Sequence, residues 1–144
     1  MIVSQILRDK GSAVISIGPD ATAVEAARLM NERRIGALMV RRGPGKPEGI
    51  ISERDIVIAL AEQGPEAAER PVRSLMTPAA SLISCTPTDS IAHVMAVMTD
   101  RRVRHLPVMD NGRLAGIISI GDIVKARLRE TLAEVEAMTA YVRG

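Results

Sequence analysis

Hydrophobic residues in the first half of the chain follow two different spacings. Short runs of aliphatic residues predict strands, whereas apolar residues that recur every three or four positions predict helices. Gly18-Pro19 and Gly64-Pro65 punctuate the pattern, since neither dipeptide continues a helix. The elements predicted in order are a strand at 13–17, a helix at 22–32, strands at 35–40 and 49–52, and a helix at 55–63.

The second half repeats this order, with a strand predicted at 82–86, a helix at 90–100 and a strand at 106–109. Asn111-Gly112 follows, and this pair is a strong hairpin signal because both residues tolerate positive φ. The last two strands of each half should therefore be antiparallel neighbours. The stretch 122–143 lacks internal glycine and proline and predicts one long helix. Its apolar positions continue beyond the end of the second repeat and indicate a face for self-association: Ile123, Val124, Leu128, Leu132, Val135, Met138 and Val142.

The two halves are copies of one unit. Of the twelve residues at 49–60, eight recur unchanged at 116–127, and earlier segments align at slightly larger offsets. A repeat of this size buries little surface by itself, so the halves should share a core. The predicted organisation is a first repeat at 1–68, a second repeat at 69–128 and a C-terminal helical extension at 129–144.

Composition and charge narrow the function classes. The chain has 144 residues, of which 47% are hydrophobic, and its formal net charge of +2 argues against a nucleic-acid surface. One cysteine and two histidines offer neither a disulfide framework nor a spaced set of metal ligands. With no leader and no apolar run of the roughly 18 residues that a membrane span needs, the expectation is a cytoplasmic protein without membrane contact.

In both copies an apolar strand ends at a serine, and an aspartate three residues later opens a helix. The pairs are Ser52 with Asp55 and Ser119 with Asp122. A helix N-terminus attracts anions, a serine hydroxyl can donate to a phosphate, and a carboxylate can accept from both hydroxyls of a ribose. The same spacing is also that of a capping box, which is the simpler interpretation of a single occurrence. Capping and ligand binding do not exclude each other.

Arginines cluster where a helix of each copy leads into a strand. Arg33-Arg34 occupies this position in the first copy, and Arg101-Arg102 in the second, where Arg104 and His105 follow. These cations either complement the helix dipole in solvent or bind phosphates, for which the planar guanidinium group is well suited. The pattern alone leaves both interpretations open.

The segment 102–124, together with 49–57, resembles a cystathionine-β-synthase (CBS) domain pair, also called a Bateman module. The resemblance covers roughly residues 1–128, with both copies in register. It implies an α/β (α+β) fold of two tandem β-α-β-β-α CBS repeats, packed sheet to sheet with pseudo-two-fold symmetry around two clefts. It also implies that the clefts bind adenosyl ligands such as AMP, ADP, ATP, S-adenosylmethionine or NAD(H).

The resemblance assigns roles to residues by their position. Asp55 and Asp122 would hold the ribose hydroxyls. Phosphate would lie near Ser52, Ser119, Arg54, Arg102, Arg104 and His105. The adenine pocket and its backbone contacts would come from Ser16, Ile17, Ile35, Ser84, Cys85, Val103, Pro107, Ile118 and Gly121.

The two predicted sites should not be equivalent. Gly121 leaves room for a ligand beside Asp122, whereas Arg54 fills that position in the first copy. The first copy also departs from the family pattern, since Gly36-Ala37 stands where the second copy has Arg104-His105. The second copy is therefore the stronger candidate for phosphate binding.

These features predict a regulatory module that senses an adenosyl ligand and is not an enzyme, because no nucleophile, base and orienting group can be assembled. Its output would pass through an effector protein or through its own assembly, with a homodimer as the expected state. Three other functions remain open. They are a structural interaction module with unoccupied clefts, a nucleic-acid binder and, with least support, a small nucleotide hydrolase.

Overall fold

A computed structural model describes residues 1–143, which form two compact units. The N-repeat unit is Val14–Ile83, and the C-repeat unit combines Met1–Ala13 with the chain from Ser84 onward. The helices are α1 (Val3–Lys10), α2 (Ala23–Arg33), α3 (Glu53–Gln63), α4 (Ile91–Arg101) and α5 (Ile120–Arg143). The strands are β1 (Ser16–Ile17), β2 (Ala37–Val40), β3 (Gly49–Ser52), β4 (Thr77–Pro78), β5 (His105–Asp110) and β6 (Arg113–Ser119).

The N-repeat unit contains one sheet in the order β1-β2-β3-β4. β1 runs parallel to β2, while β2 and β3 are antiparallel, which confirms the prediction for the last two strands of the first copy. Ala26 and Met30, one helical turn apart on α2, pack with the strand residues Leu38 and Ile51 in a common core. The predicted α+β class and the order β-α-β-β-α are confirmed in this unit.

The fourth strand of this sheet is one that the sequence pattern did not predict. β4 is only two residues long and pairs with β3 through Gly49 opposite Pro78. A proline cannot donate to a strand ladder and is tolerated at a sheet edge, which is where β4 lies. A short strand containing proline gives no alternating pattern, so pattern reasoning could not detect it.

The C-repeat unit is built around the predicted hairpin. β5 and β6 are antiparallel, with Asp110 opposite Arg113 and a two-residue turn between them. Asn111 and Gly112 in that turn have φ of 51° and 79°, as the Asn-Gly signal requires. The hairpin prediction is therefore confirmed.

The prediction of a strand at 82–86 is wrong. Residues Ala79–Ser81 form a short 3-10 turn, and only Cys85 reaches a strand, through a parallel bridge to Val108. The backbone N–H of Thr86 then donates to the Asp89 carboxylate at 2.8 Å, which turns the chain toward α4. The apolar run that suggested a strand is thus one bridging residue between two turns.

Each unit includes the segment that leads the other copy in sequence. Residues 1–13 begin the first repeat but belong to the C-repeat unit, while 70–78 begin the second repeat but belong to the N-repeat unit. Ile2 forms an antiparallel bridge with Ser90, and Pro71 forms its counterpart with Thr22. The sequence repeats and the compact units therefore do not coincide: the predicted boundary follows the repeat, whereas the units divide after Ala13 and after Ile83.

Matching backbone hydrogen bonds fix the two exchanged segments. The Val3 N–H donates to the Asp89 carbonyl at 3.0 Å, and the Val72 N–H donates to the Ala21 carbonyl at 2.7 Å. Val3 and Val72 are both fully buried. The same pattern of contacts at equivalent positions indicates that the exchange is a property of the repeat and not of one copy.

Two of the predicted helices extend as expected. α3 ends at Gln63 and is followed by Gly64, whose φ of 76° suits glycine, and α5 runs for 24 residues, as the unbroken pattern predicted. Among the helices of residues 1–143, none contains a stretch long and apolar enough to traverse a bilayer.

Two equivalent glycines allow the exchanged segments to approach the strands. A methyl group at Gly49 would overlap the Thr77 carbonyl oxygen, and one at Gly116 would lie 2.7 Å from a Leu7 methyl carbon.

We expect Gly49→Ala to lower the free energy of unfolding by about 1–3 kcal/mol, because the backbone of Thr77 must move to make room for the methyl group. Gly116→Ala should cost less, since the end of a leucine side chain can shift. Urea unfolding of both variants measures the difference, and equal losses would contradict it.

Candidate functional site

The two predicted serine and aspartate pairs both form reciprocal capping boxes. At the start of α3, the Ser52 N–H donates to Asp55 Oδ2 at 2.8 Å and the Asp55 N–H donates to Ser52 Oγ at 3.3 Å. At the start of α5, the corresponding bonds between Ser119 and Asp122 are 2.9 and 3.2 Å long. The capping interpretation is confirmed in both copies, and each carboxylate is held rigidly at a helix N-terminus.

Capping leaves part of each carboxylate for another partner. The hydrogen bonds from Ser52 to Asp55 and from Ser119 to Asp122 all end on Oδ2. The other carboxylate oxygen is not used by the capping box in either copy. A carboxylate can accept about four hydrogen bonds, so the observed capping is compatible with binding of a ribose diol.

Lys10 is the contact that sequence reasoning missed. Its ammonium group, at the C-terminal end of α1, lies 2.7 Å from Asp122 Oδ2 and also donates to the Ile117 carbonyl at 2.9 Å. α1 reaches this position only because the leading segment belongs to the C-repeat unit. No sequence signal could have revealed the contact, since 112 residues separate Lys10 from Asp122.

The surroundings of Asp122 favour its ionised form. Burial by itself would raise the pKa, but hydrogen bonds from Lys10 and Ser119 and the charge of Lys10 outweigh burial and lower the pKa of Asp122 below its ordinary value. Asp122 therefore remains an acceptor throughout the neutral range.

A cavity of about 210 Å³ adjoins this ion pair within the C-repeat unit. Its walls carry Lys10, Lys125 and Arg129 as cations and Asp9 and Asp122 as anions. Arg129 is paired with Asp9 at 3.2 Å, and Lys10 is paired with Asp122. Lys125 adds a further positive charge one helical turn after Asp122, so the cavity suits an anionic group beside the carboxylate.

The residues predicted to contact adenine differ in whether their backbone polar groups are already bonded within a sheet. The Ile17 carbonyl accepts from Arg41, and both backbone groups of Cys85 bond to β5. Their polar groups therefore already serve the sheet. In an extended chain neighbouring residues point in opposite directions, so the backbones of Ser16 and Ser84 face away from the paired strand. The predicted backbone contacts of Ser16 and Ser84 have a suitable direction, whereas those of Ile17 and Cys85 do not.

Three of the residues predicted for the adenine pocket are buried in the C-repeat unit. Ile118 has no exposed surface, Cys85 is 4% exposed, and Pro107 is also buried. Strand alternation in β6 directs Ile118 into the core. These three side chains support the strands in this structure and offer almost no surface to a ligand.

Other predicted contacts lie closer to the surface. Ile35 lines a cavity of about 400 Å³ in the N-repeat unit, with Gly36 and Glu53. Val103 is half-buried, and its backbone N–H donates to Met98 at the end of α4. Gly121 is exposed, and a methyl group there would lie 3.6 Å from Ser119 Oγ, an ordinary contact. The structure thus imposes no steric need for glycine at 121.

Ser16 lines a further cavity, of about 360 Å³, in the N-repeat unit. The Arg41 Nε group donates to Ser16 Oγ at 2.9 Å and lines the same cavity, as does Arg42. Arg41 and Arg42 follow β2 directly, and the sequence pattern assigned them no role. They provide the N-repeat unit with two cations near Ser16, although not beside Asp55.

The residues predicted to contact phosphate lie near the aspartate in the C-repeat unit more than in the N-repeat unit. His105 lies opposite Ser119 in the register of β5 and β6, and the Arg104 carbonyl accepts from the Ile120 N–H at 2.8 Å. The backbone of Arg104 is therefore held at the start of α5, two residues before Asp122 on that helix. In the N-repeat unit the corresponding bond runs from Glu53 to Gly36, which supplies no cation, and Arg54 is exposed on α3.

Arg34 and Arg102 end α2 and α4 in the left-handed conformation, with φ of 55° and 53°. Glycine usually occupies this position, because a side chain there costs energy. Both arginines are exposed at these helix ends. This matches the dipole-complementing interpretation of the clusters, and the phosphate role of Arg102 stays a prediction.

The hydrogen bond from Lys10, together with its charge, should account for much of the lowered pKa of Asp122. We expect Lys10→Met to raise that pKa, measured by NMR titration of the side-chain carboxyl carbon. Because the folded pKa is depressed, Asp122 stabilises the fold above its unfolded pKa of about 3.9, and this is lost as pH falls through the folded value.

Arg8→Met is the matched control for this titration, since Arg8 is an exposed cation on the same helix. An Asp122 pKa that is unchanged by Lys10→Met would contradict the assigned cause.

Cys85 should be unreactive in the folded protein. Burial, with a smaller contribution from the charge of Asp89, raises the pKa of its thiol to about 12. At neutral pH the thiol is protonated and inaccessible, so we expect labelling by Ellman's reagent to be slow until denaturant unfolds the chain. Rapid labelling in the absence of denaturant would contradict the burial of Cys85.

Comparison with known proteins places this geometry in a family context. The chain is 33% identical to the CBS domain-containing protein CBSX3, mitochondrial, of Arabidopsis thaliana, covering 99% of this chain and 72% of that one. Its fold matches the crystal structure of a CBS-domain containing protein from Agrobacterium tumefaciens, with a TM-score of 0.84 and 42% identity over 88% of this chain and 99% of that chain.

Two other similar structures contain adenosyl compounds. The CBS domain protein PAE2072 from Pyrobaculum aerophilum, complexed with AMP, has a TM-score of 0.71 and 29% identity, over 85% of this chain and 89% of its own. The CBS domain pair of protein MJ0100, in complex with 5-methylthioadenosine and S-adenosyl-L-methionine, has a TM-score of 0.77 and 25% identity, over 90% and 98%. The CBS domain family model matches residues 3–62 and 72–129. The chain therefore belongs to the CBS domain family and contains two CBS domains.

Proposed function

We propose that this protein is a regulatory module that binds an adenosyl ligand through Asp55 and Asp122 and does not itself catalyse a reaction. The observation that carries the proposal is the repeated capping box, which fixes a carboxylate at the start of α3 and of α5 and leaves one of its oxygens outside the cap. Both hydroxyls of a ribose diol can donate to such a rigid, ionised acceptor. Ligand binding would then favour one conformation of the module over another.

The similar structures support an adenosine compound as the ligand. AMP, 5-methylthioadenosine and S-adenosyl-L-methionine occur in CBS proteins of the same fold, and they share adenine and ribose but differ in what the ribose carries. A site that reads the ribose with an aspartate would accept this whole class. The candidates for this protein are AMP, ADP, ATP, NAD(H) and S-adenosylmethionine.

The charge around Asp122 favours ligands that carry phosphate. Lys10 and Lys125 line the cavity beside Asp122, and Arg104 is fixed at the start of the same helix. In the N-repeat unit Gly36 occupies the position equivalent to Arg104, and, among the described residues, Arg34 is the one cation that lines the cavity formed with Gly36 and Glu53. We therefore propose that AMP, ADP, ATP or NAD(H) binds the C-repeat unit more tightly than an uncharged adenosine compound does.

Output would pass through an effector protein or through self-assembly, and we propose a cytoplasmic homodimer as the working state. Within residues 1–143, no group of three or more histidine, cysteine, aspartate or glutamate side chains is placed to hold a metal ion.

Thermal unfolding against AMP, ADP, ATP, NAD, NADH and S-adenosylmethionine tests the proposal. A ligand at 100 times its Kd adds about 2.7 kcal/mol of stability, which raises the Tm by several degrees for a chain of this size. Asp122→Asn should remove most of this rise for phosphate-bearing ligands, and Asp55→Asn a smaller part. Asparagine can still accept the capping bond, so both variants should fold.

Glu25→Gln is the matched control, because Thr22 and Glu25 form the same reciprocal capping box on α2, outside the predicted ligand contacts. It should leave the rise intact. No rise with any compound would overturn the sensor proposal in favour of an interaction module with unoccupied clefts. Product formation from ATP or NADH would identify a hydrolase, and retention on nucleic acid that falls steeply with salt would identify a nucleic-acid binder.

A further inference from the structure

The C-terminal part of α5 leaves a long apolar stripe uncovered. Ile123 and Ala126 bury the start of the helix in the C-repeat unit, but every residue from 131 to 143 is exposed. Large apolar side chains that are more than half exposed continue along the helix: Val124, Leu128, Leu132, Val135, Met138, Tyr141 and Val142. An unsupported helix of this length is only marginally stable in water, so the stripe requires a cover.

The stripe has the geometry of a helix-pairing face. At 3.6 residues per turn, Val124, Leu128, Leu132, Val135 and Val142 fall within one side of the helix, as do Thr131 and Met138. The face is about 120° wide, which matches the stripe that a packed helix buries. Ala133 lies on the opposite side.

The charged residues that border this face change sign along the helix. Arg127 and Glu134 lie along one border, and Lys125 and Glu136 lie along the other. Between residues 125 and 136 both borders are therefore basic toward the start of the helix and acidic toward its end, and Arg143 lies beyond Glu136 on the second border. The Arg127 guanidinium also contacts Glu130 of its own helix at 3.1 Å.

Only one orientation of two such helices pairs unlike charges. In a parallel pair, the basic halves face each other and the acidic halves face each other, which is unfavourable. In an antiparallel pair centred between residues 130 and 131, Arg127 faces Glu134 of the second copy and Lys125 faces Glu136. The two-fold axis repeats both contacts, so four unlike pairs border one apolar seam.

We propose that α5 pairs antiparallel with α5 of a second copy of this chain. The inference rests on the homodimer proposed above and adds its surface, orientation and register. The same register sets Val124 between Val135 and Met138 of the second copy, and Thr131 beside its own equivalent. The covered seam gives the exposed half of α5 the packing that a lone helix lacks.

Oligomeric state with charge insertions tests the surface. By sedimentation analysis, Val135→Glu should weaken dimerisation roughly tenfold or more, since it places a charge in the seam of both chains. Ala133→Glu adds the same charge to the opposite face and should leave the dimer intact. Val57→Glu probes a different exposed apolar surface, on α3. A wild-type monomer would overturn the homodimer itself, whereas a dimer lost in Val57→Glu but kept in Val135→Glu would overturn only the α5 inference.

Disulfide trapping tests the orientation, in a Cys85→Ala background. Val124→Cys and Met138→Cys chains, one of them tagged, are unfolded together, refolded and oxidised. Antiparallel pairing predicts disulfides between the two variants in the mixture and none in either variant alone. Disulfides within each variant alone would show a parallel pair and overturn the proposal, as would the absence of disulfides in every sample.

Charge exchange tests the register. Glu136→Lys alone should weaken the dimer, because the introduced positive charge would face Lys125 of the second copy. Combining it with Lys125→Glu should restore the affinity, since both borders again pair unlike charges. A double variant no tighter than Glu136→Lys would overturn the proposed register.

Discussion

The exchange of leading segments is the contact on which the rest of the structure depends. Residues 1–13 pack into the C-repeat unit, and residues 70–78 pack into the N-repeat unit. Each segment forms a β-bridge to the start of a helix and buries a valine completely, Val3 in the first and Val72 in the second. The exchange also explains why both copies have a glycine at 49 and 116, since each glycine receives the incoming segment at close range. A single copy without the other would therefore lack part of its own core.

The same exchange makes the two candidate sites unequal. Asp55 and Asp122 have equivalent capping geometry, but only α1 ends in a lysine that reaches the carboxylate of its unit. Lys10 thus differentiates two carboxylates that the repeat would otherwise make alike, and Arg104 against Gly36 widens the difference. A duplicated framework that keeps its capping boxes and varies the surrounding charge thus presents two similar carboxylates in different electrostatic surroundings.

The sequence predicted features that depend on local chemistry and failed where long-range contacts decide. The Asn111-Gly112 turn, the β2 and β3 pair and the capping boxes followed from residues close in sequence. The ligand contacts predicted for Ile17 and Cys85 stay predictions, and the fold adds that the sheets use the backbone groups of both residues. Lys10 and Arg41 carry no motif, so only the folded chain could show where they lie. The run at 82–86 failed as a strand because a single bridge produces the same apolar pattern as a ladder.

Connectivity has a further consequence for how this protein is made. Val14–Ile83 is continuous in sequence, whereas the other unit joins residues from both ends of the chain and contains the first as an insertion. The inserted unit can therefore form as soon as residue 83 has left the ribosome. α1 precedes that unit in the chain, but Val3 and Ile6 are buried in the unit that also contains β5 and β6, which are made later. A helix that is made before the N-repeat unit is therefore packed after it.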